Sequence, residues 1–184
     1  MERKNGPWII KSTIPKYKNP WIEVHEDQVI RPDGQPGIFG MVKMVSGVAV
    51  LPMDDEGLVY LTEEFRYAIG GYSIEAMSGG IENNEKQLDA AKRELEEELG
   101  IQAEEWISLG VVNPFTSVVH SPAHLFLAKK LKFSAKSPEG TEIIKTKKME
   151  MEVAIKMVLD SKITHGPTCV LILKAAHYLK KLKK

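Results

Sequence analysis

At 184 residues, with 43% hydrophobic and 27% charged side chains, the chain is long enough for one well-buried domain and too short for two large ones. Its 25 Lys and Arg balance its 25 Asp and Glu, so no global field draws it to nucleic acid and local charge must carry function. One cysteine, Cys169, excludes an internal disulfide and lies in the apolar run 169–173, where a thiol acts as a small hydrophobe. The start lacks the apolar stretch of a secretory leader, and no run of about 18 apolar residues suits a membrane span. A cytoplasmic protein with no membrane or nucleic-acid partner is expected.

In chain order, residues 1–45 alternate short apolar runs with turn signals. Trp21 to His25, then Arg31-Pro32-Asp33-Gly34, reads as strand, turn, strand. The apolar run 47–52 suits a strand buried on both faces. A turn at 54–57 leads into a strand at 58–61. The first strong helix follows Asn83 or Asn84; Asn84 with Gln87 resembles a capping box. Its apolar stripe is Leu88, Ala91, Leu95 and Leu99, and Gly100 stands where a left-handed C-terminal cap is expected. Strands are predicted at 106–112 and 124–131, a helix at 150–159, and a last helix with Pro167 in its first turn. A mixed sheet with helices packed on it is the economical α/β architecture.

The chemistry concentrates in SGGIENNEKQLDAAKRELEEELGI, which begins at Ser78. Glu94, Glu97 and Glu98 fall at i, i+3 and i+4, which brings three carboxylates onto one helical face. Like charges crowded in this way suit a hard divalent cation, since Mg²⁺ prefers carboxylate and water oxygens. An acidic run alone usually marks a solvated face. Gly79, Glu85, Arg93 and Gly100 at fixed offsets change that reading, because seven set identities coincide by chance on the order of 10⁻⁸ per start position.

With Gly79, Glu85, Arg93, Glu94, Leu95, Glu97, Glu98, Gly100 and Ile101 all in place, the stretch resembles the box of the Nudix hydrolase family. Further motifs are similar to the ADP-ribose and nucleoside-diphosphate-sugar pyrophosphatase branch: Asn19-Pro20-Trp21, Gly37-Ile38-Phe39-Gly40, Glu64-Phe65-Arg66-Tyr67 and Glu75-Ala76-Met77-Ser78-Gly79. The branch commonly has a proline where this chain has Met77-Ser78, and Thr116 stands where its ADP-ribose hydrolases carry another.

The resemblance implies a Nudix-type α/β/α sandwich with a mixed β-sheet at 46–184. It also implies an N-terminal β-rich segment, residues 1–45, in a homodimer interface. It implies Mg²⁺ or Mn²⁺ held by Glu94, Glu98 and the Ser78 carbonyl, with Glu97 at a second ion or its waters and Arg93 steadying the acids. Glu142, with Glu139 as the alternative, is implied as the general base. Arg66 clamps a diphosphate, Glu75 lies near the terminal sugar or metal waters, and Trp21 and Phe39 sandwich the base, one from each subunit. The expected substrate is a nucleoside diphosphate sugar of the ADP-ribose, GDP-mannose or ADP-glucose type. Another nucleoside diphosphate derivative, such as a dinucleoside polyphosphate or coenzyme A, remains an alternative, as does a non-catalytic nucleotide-binding module.

Overall fold

The computed structural model describes residues 2–134 and 144–182. The chain divides into two compact units: residues 1–46 with 113–122, and residues 47–112 with 123–184. The first unit therefore takes in the segment 113–122, which the sequence reading grouped with the remainder of the chain.

The first unit is a five-stranded sheet ordered β1(Arg3–Asn5), β2(Trp8–Lys18), β3(Ile22–Ile30), β4(Pro36–Met44) and β10(Val119–His120). β3 and β4 form the hairpin expected around Arg31 to Gly34, and β10 joins β4 in parallel. β2 is a longer strand than its interrupted pattern suggests. Pro15, which cannot donate to a ladder, stands beside a register shift on this strand. Ile10 and Val29 are buried, whereas Ile14, Tyr17, Trp21, Ile38 and Met44 are exposed.

In the second unit, β5(Gly47–Pro52) is flanked by β8(Met77–Gly80) and β11(Ala123–Phe133), and β9(Ile101–Val112) pairs with β11. β5 and β11 are parallel and the other pairings antiparallel, which makes this a mixed sheet. β6(Leu58–Arg66), β7(Gly71–Glu75) and β12(Lys145–Glu150) form a separate three-stranded antiparallel sheet.

Side-chain alternation explains the layers. Val48 and Val50 of β5, with Phe126 and Ala128 of β11, pack with α1(Gln87–Leu99) through Ala90, Ala91, Leu95 and Leu99. Their neighbours Ala49, Leu51, Leu125 and Leu127 pack with α2(Met151–Leu159) and α3(Gly166–Leu182) through Met151, Ala154, Leu171, Ile172 and Ala175. One strand run thus feeds two cores, and the α/β/α sandwich follows. Full burial of Leu95 stabilises by about 2 kcal/mol, and its truncation to Ala costs about 2–5 kcal/mol.

Two local expectations change. α1 starts at Gln87 with Lys86 as N-cap and no side-chain cap bond, whereas Asn84 adopts a left-handed turn conformation at φ 67°. Asn84 therefore belongs to the approach turn rather than to a capping box. Leu88 is only half-buried and Ala90 takes its place in the core. Gly100 does cap the helix in the left-handed region, with its N–H reaching the Glu96 carbonyl at 2.9 Å.

Candidate active site

α1 packs beside β8, with Glu94 against Gly79 and Arg93 bonded to the Gly80 carbonyl. The close approach depends on Gly79: a Cβ at that position would lie 2.0 Å from Cδ of Glu94 and 2.3 Å from its Cγ and Oε1. Glu94 therefore lies against bare backbone next to Ser78. Along β8, Ser78 and Gly79 pair with Ala49 and Val48, so the central strand fixes the height of this backbone.

Arg93 organises the acids. Its Nε and Nη2 donate to the two Glu85 oxygens, both at 3.0 Å, and Nη2 also donates to the Gly80 carbonyl at 3.0 Å. Nη1 donates to Glu94 Oε1 at 2.9 Å and Glu97 Oε2 at 3.2 Å. All five guanidinium N–H groups are used, which a lysine could not reproduce. The bonds from Arg93, then the Glu82 amide, hold the Glu85 carboxyl below the usual carboxylate range, and Glu85 in turn raises the basicity of Arg93.

A second arginine stands on β6. Arg66 donates from Nε and Nη2 to Glu75 at 3.2 and 2.8 Å, and its Nη1 is 2.8 Å from Glu64. Burial disfavours its charge, but Glu75, Glu64 and then Glu98 outweigh that and raise its pKa. The Glu98 charge on α1 thus adds to the two β6–β7 carboxylates in favouring the protonated Arg66. Burial likewise pushes the Glu75 carboxyl up; the Arg66 bond, the nearby His165 and the Ser73 hydroxyl outweigh it and leave Glu75 ionised below its ordinary value.

The donor set is oxygen-only. Among the described residues no three acidic, histidine or cysteine side chains converge closely enough to enclose an ion. One oxygen of Glu94 and one of Glu97 face Arg93 instead. A hard divalent cation held by one or two carboxylates, a backbone carbonyl, water and substrate oxygens still fits this set, and the missing side chain at Gly79 gives Glu94 the space it occupies.

Of the residues named from sequence, the structure joins Arg66 with Glu75, and Arg93 with Glu94 and Glu97, while Ser78 stands between Glu75 and Gly79 on the chain. Trp21 and Phe39 belong to the first unit. Trp21 is 70% exposed just before β3, whereas Phe39 pairs with Asp27 and meets the edge of Trp8 at 5.7 Å between ring centroids. Six residues of strand, about 20 Å, separate Trp21 from the Phe39 position, so one chain does not supply both faces of a base sandwich. Glu139 and Glu142 lie outside the described residues.

Sequence reasoning gave no role to Glu64, His165 or Thr168, which bond or face the residues above. Glu64 had a signal, since it stands two residues before Arg66 on the same face of a strand. His165 and Thr168 had none, because about 90 residues separate them from the β7–β8 segment they meet.

A model of the NUDIX domain matches residues 43–165, and one of the nucleoside diphosphate sugar hydrolase N-terminal domain matches residues 6–42. The chain is 27% identical over 153 residues to an ADP-ribose pyrophosphatase of Bacillus subtilis (strain 168), covering 82% of this chain and 83% of that protein. It is 25% identical over 155 residues to a methanol dehydrogenase activator of Bacillus methanolicus, with 82% and 83% covered. A crystal structure of an ADP compounds hydrolase shares the fold, with a TM-score of 0.85, 16% identity and 98% of each chain covered. The NUDIX match spans more than half of the chain and contains the complete box, so the chain belongs to the Nudix family and is a pyrophosphohydrolase.

Proposed function

We propose that the protein is a homodimeric, Mg²⁺- or Mn²⁺-dependent hydrolase of nucleoside diphosphate sugars, of the ADP-ribose, ADP-glucose or GDP-mannose type. It releases a nucleoside monophosphate and a sugar phosphate. The observation that carries this reading is Glu94 of α1 set against Gly79, four residues along the chain from the Glu75 that holds Arg66.

Glu94, Glu98 and the Ser78 carbonyl would hold the divalent ion, and Glu97 would serve a second ion or its waters. When bound, the ion neutralises the diphosphate and lowers the pKa of an attacking water. Arg93 keeps the acids aligned through its five bonds. Three N–H groups of Arg66 go to Glu75 and Glu64, which fixes its plane, and the others face the diphosphate. Glu75 reads the terminal sugar side. Glu142, or alternatively Glu139, accepts the proton of the water whose oxygen bonds one phosphorus; the bridging P–O bond to that phosphorus breaks, and the other phosphate leaves still joined to its nucleoside or sugar.

The apolar side chains left exposed on the N-terminal sheet support a second copy as their cover, with Trp21 and Phe39 stacking a base from opposite subunits. The matched N-terminal model and the relative's ADP-ribose activity support the substrate class. Purified protein with Mg²⁺ is expected to cleave at least one of ADP-ribose, ADP-glucose and GDP-mannose to both products, and to stop when EDTA is added. Turnover of coenzyme A or a diadenosine polyphosphate alone overturns the substrate class.

A further inference from the structure

β7 belongs to the three-stranded sheet and β8 to the mixed sheet, and the chain crosses between them at one residue, Ala76, which pairs in neither ladder. Ala76 is fully buried, so its backbone N–H and C=O need partners that no strand supplies. Two hydroxyls supply them. The Ala76 N–H donates to Oγ1 of Thr168 at 2.8 Å, and the Ser78 hydroxyl donates to the Ala76 carbonyl at 2.8 Å.

Thr168 is itself fully buried, on the first turn of α3, and its Oγ1 is 2.8 Å from Nδ1 of His165. The same His165 nitrogen lies 3.5 Å from Oε2 of Glu75, the oxygen that accepts from Nη2 of Arg66. Because Glu75 is ionised, a proton on Nδ1 facing it is favoured over a lone pair. One helix start thus grips both the sheet-to-sheet crossing and the carboxylate beside it.

We propose that His165 and Thr168 are positioning residues for the reaction: Thr168 sets the path of the chain from Glu75 through Ala76 to Ser78, and His165 braces the Glu75–Arg66 pair. This rests on the reading that Arg66, Glu75 and the Ser78 carbonyl line the diphosphate site. Two residues beyond Ala76 lies the carbonyl assigned to the ion, and one residue before it lies the carboxylate that orients Arg66. Displacing the crossing therefore moves both halves of the site together. His165 touches only Glu75 among these groups, so its effect falls on the substrate side.

Four substitutions test the proposal. Thr168→Val keeps the shape but leaves the Ala76 N–H without an acceptor; it is expected to speed exchange of the Ala76 amide by about 100-fold and lower kcat by about tenfold, with Thr168→Ser restoring both to within about threefold. His165→Leu is expected to raise KM about fivefold with kcat within about twofold, and His165→Asn, which keeps a polar group at the Nδ1 position, to restore KM. Wild-type kcat and KM in both Thr168→Val and His165→Leu, with only the melting temperature lowered, would show a merely structural role and overturn the proposal. Unchanged Ala76 protection in Thr168→Val also overturns it. That exchange is read without metal or substrate, so inactivity of the wild type towards the sugar nucleotides counts against the substrate reading instead.

Discussion

Glu94 lies where a side chain on residue 79 would have to be: the Cβ of any other residue at Gly79 would come within 2.0 Å of Glu94 Cδ. The atoms in conflict are the outer part of a flexible side chain rather than backbone, so the fold survives a small substitution and Glu94 gives way. Gly79→Ala is expected to keep its melting temperature within a few degrees and lose kcat by about 100-fold, the scale of a misplaced catalytic group. Circular dichroism melts and initial rates at saturating Mg²⁺ measure both. Equal loss of fold and rate would show that residue 79 governs stability instead.

Arg93 distinguishes a shaped donor from a charge. Arg93→Lys keeps the charge but cannot bond Glu85, Glu94, Glu97 and the Gly80 carbonyl together. Bonds to charged groups contribute about 1.5–3 kcal/mol each when well formed, and partial exposure reduces this. A fall in kcat of about 10–100-fold is expected, with a stability loss of about 1–2 kcal/mol in urea titration. Activity within twofold of wild type would mean that the acids hold their places without the fork.

Glu98→Gln separates an enzyme from a binding module. Its charge favours the protonated Arg66. The variant is expected to lose at least about 100-fold in kcat while sugar-nucleotide affinity, by calorimetry, changes only a few-fold. A binder without catalysis shows no rate to lose.

Acid stability carries the signature of His165 and Glu75. Burial pushes the His165 pKa below its ordinary 6.5, Glu75 pulling it up and Arg66 adding to the depression. The folded state thus binds its proton less readily than the unfolded chain does. That contribution to stability is full above about pH 6.5 and is lost as pH falls through the folded value. Glu75, also depressed, adds a second loss below its ordinary 4.5. Melting temperature plotted against pH should decline from about 6.5 downward, and His165→Asn should flatten the upper part of that decline. A slope unchanged by the substitution would place the titration elsewhere.

The two aromatics on the N-terminal unit are expected to behave differently. Trp21 is so exposed that Trp21→Ala should change stability by less than about 0.5 kcal/mol. Its proposed stacking role predicts a KM raised about tenfold. Phe39→Ala loses the Trp8 edge contact and enlarges the cavity of about 70 Å³ between Trp8, Asp27 and Phe39, so it should cost about 1 kcal/mol as well. Melts paired with KM values check both.

Helix α1 was readable from sequence because its determinants are local. Acids at i, i+3 and i+4 share a face by helical geometry alone, and Gly100 ends the helix through its own backbone freedom. Strand β5 was readable because every residue in 48–52 is buried, which leaves an unbroken apolar run. Asn84 was misread because a residue fit to cap is equally fit for a left-handed turn, and only the path of the chain selects between them. The five-stranded first unit, with its borrowed segment 113–122, depends on a pairing between residues about 77 apart. No local pattern specifies such a pairing.

By itself the sequence determined the reaction class, the acidic face, the arginine that orders it and the alternation that builds two cores on one sheet. The tertiary structure alone decided that Glu94 occupies the space left by Gly79, that Arg66 is held between Glu75 and Glu64, and that His165 and Thr168 reach the crossing at Ala76. The division has a physical cause. Periodicity and capping act over a few residues and leave their mark in sequence, whereas contacts closed across 10 to 90 residues depend on how sheets and helices pack.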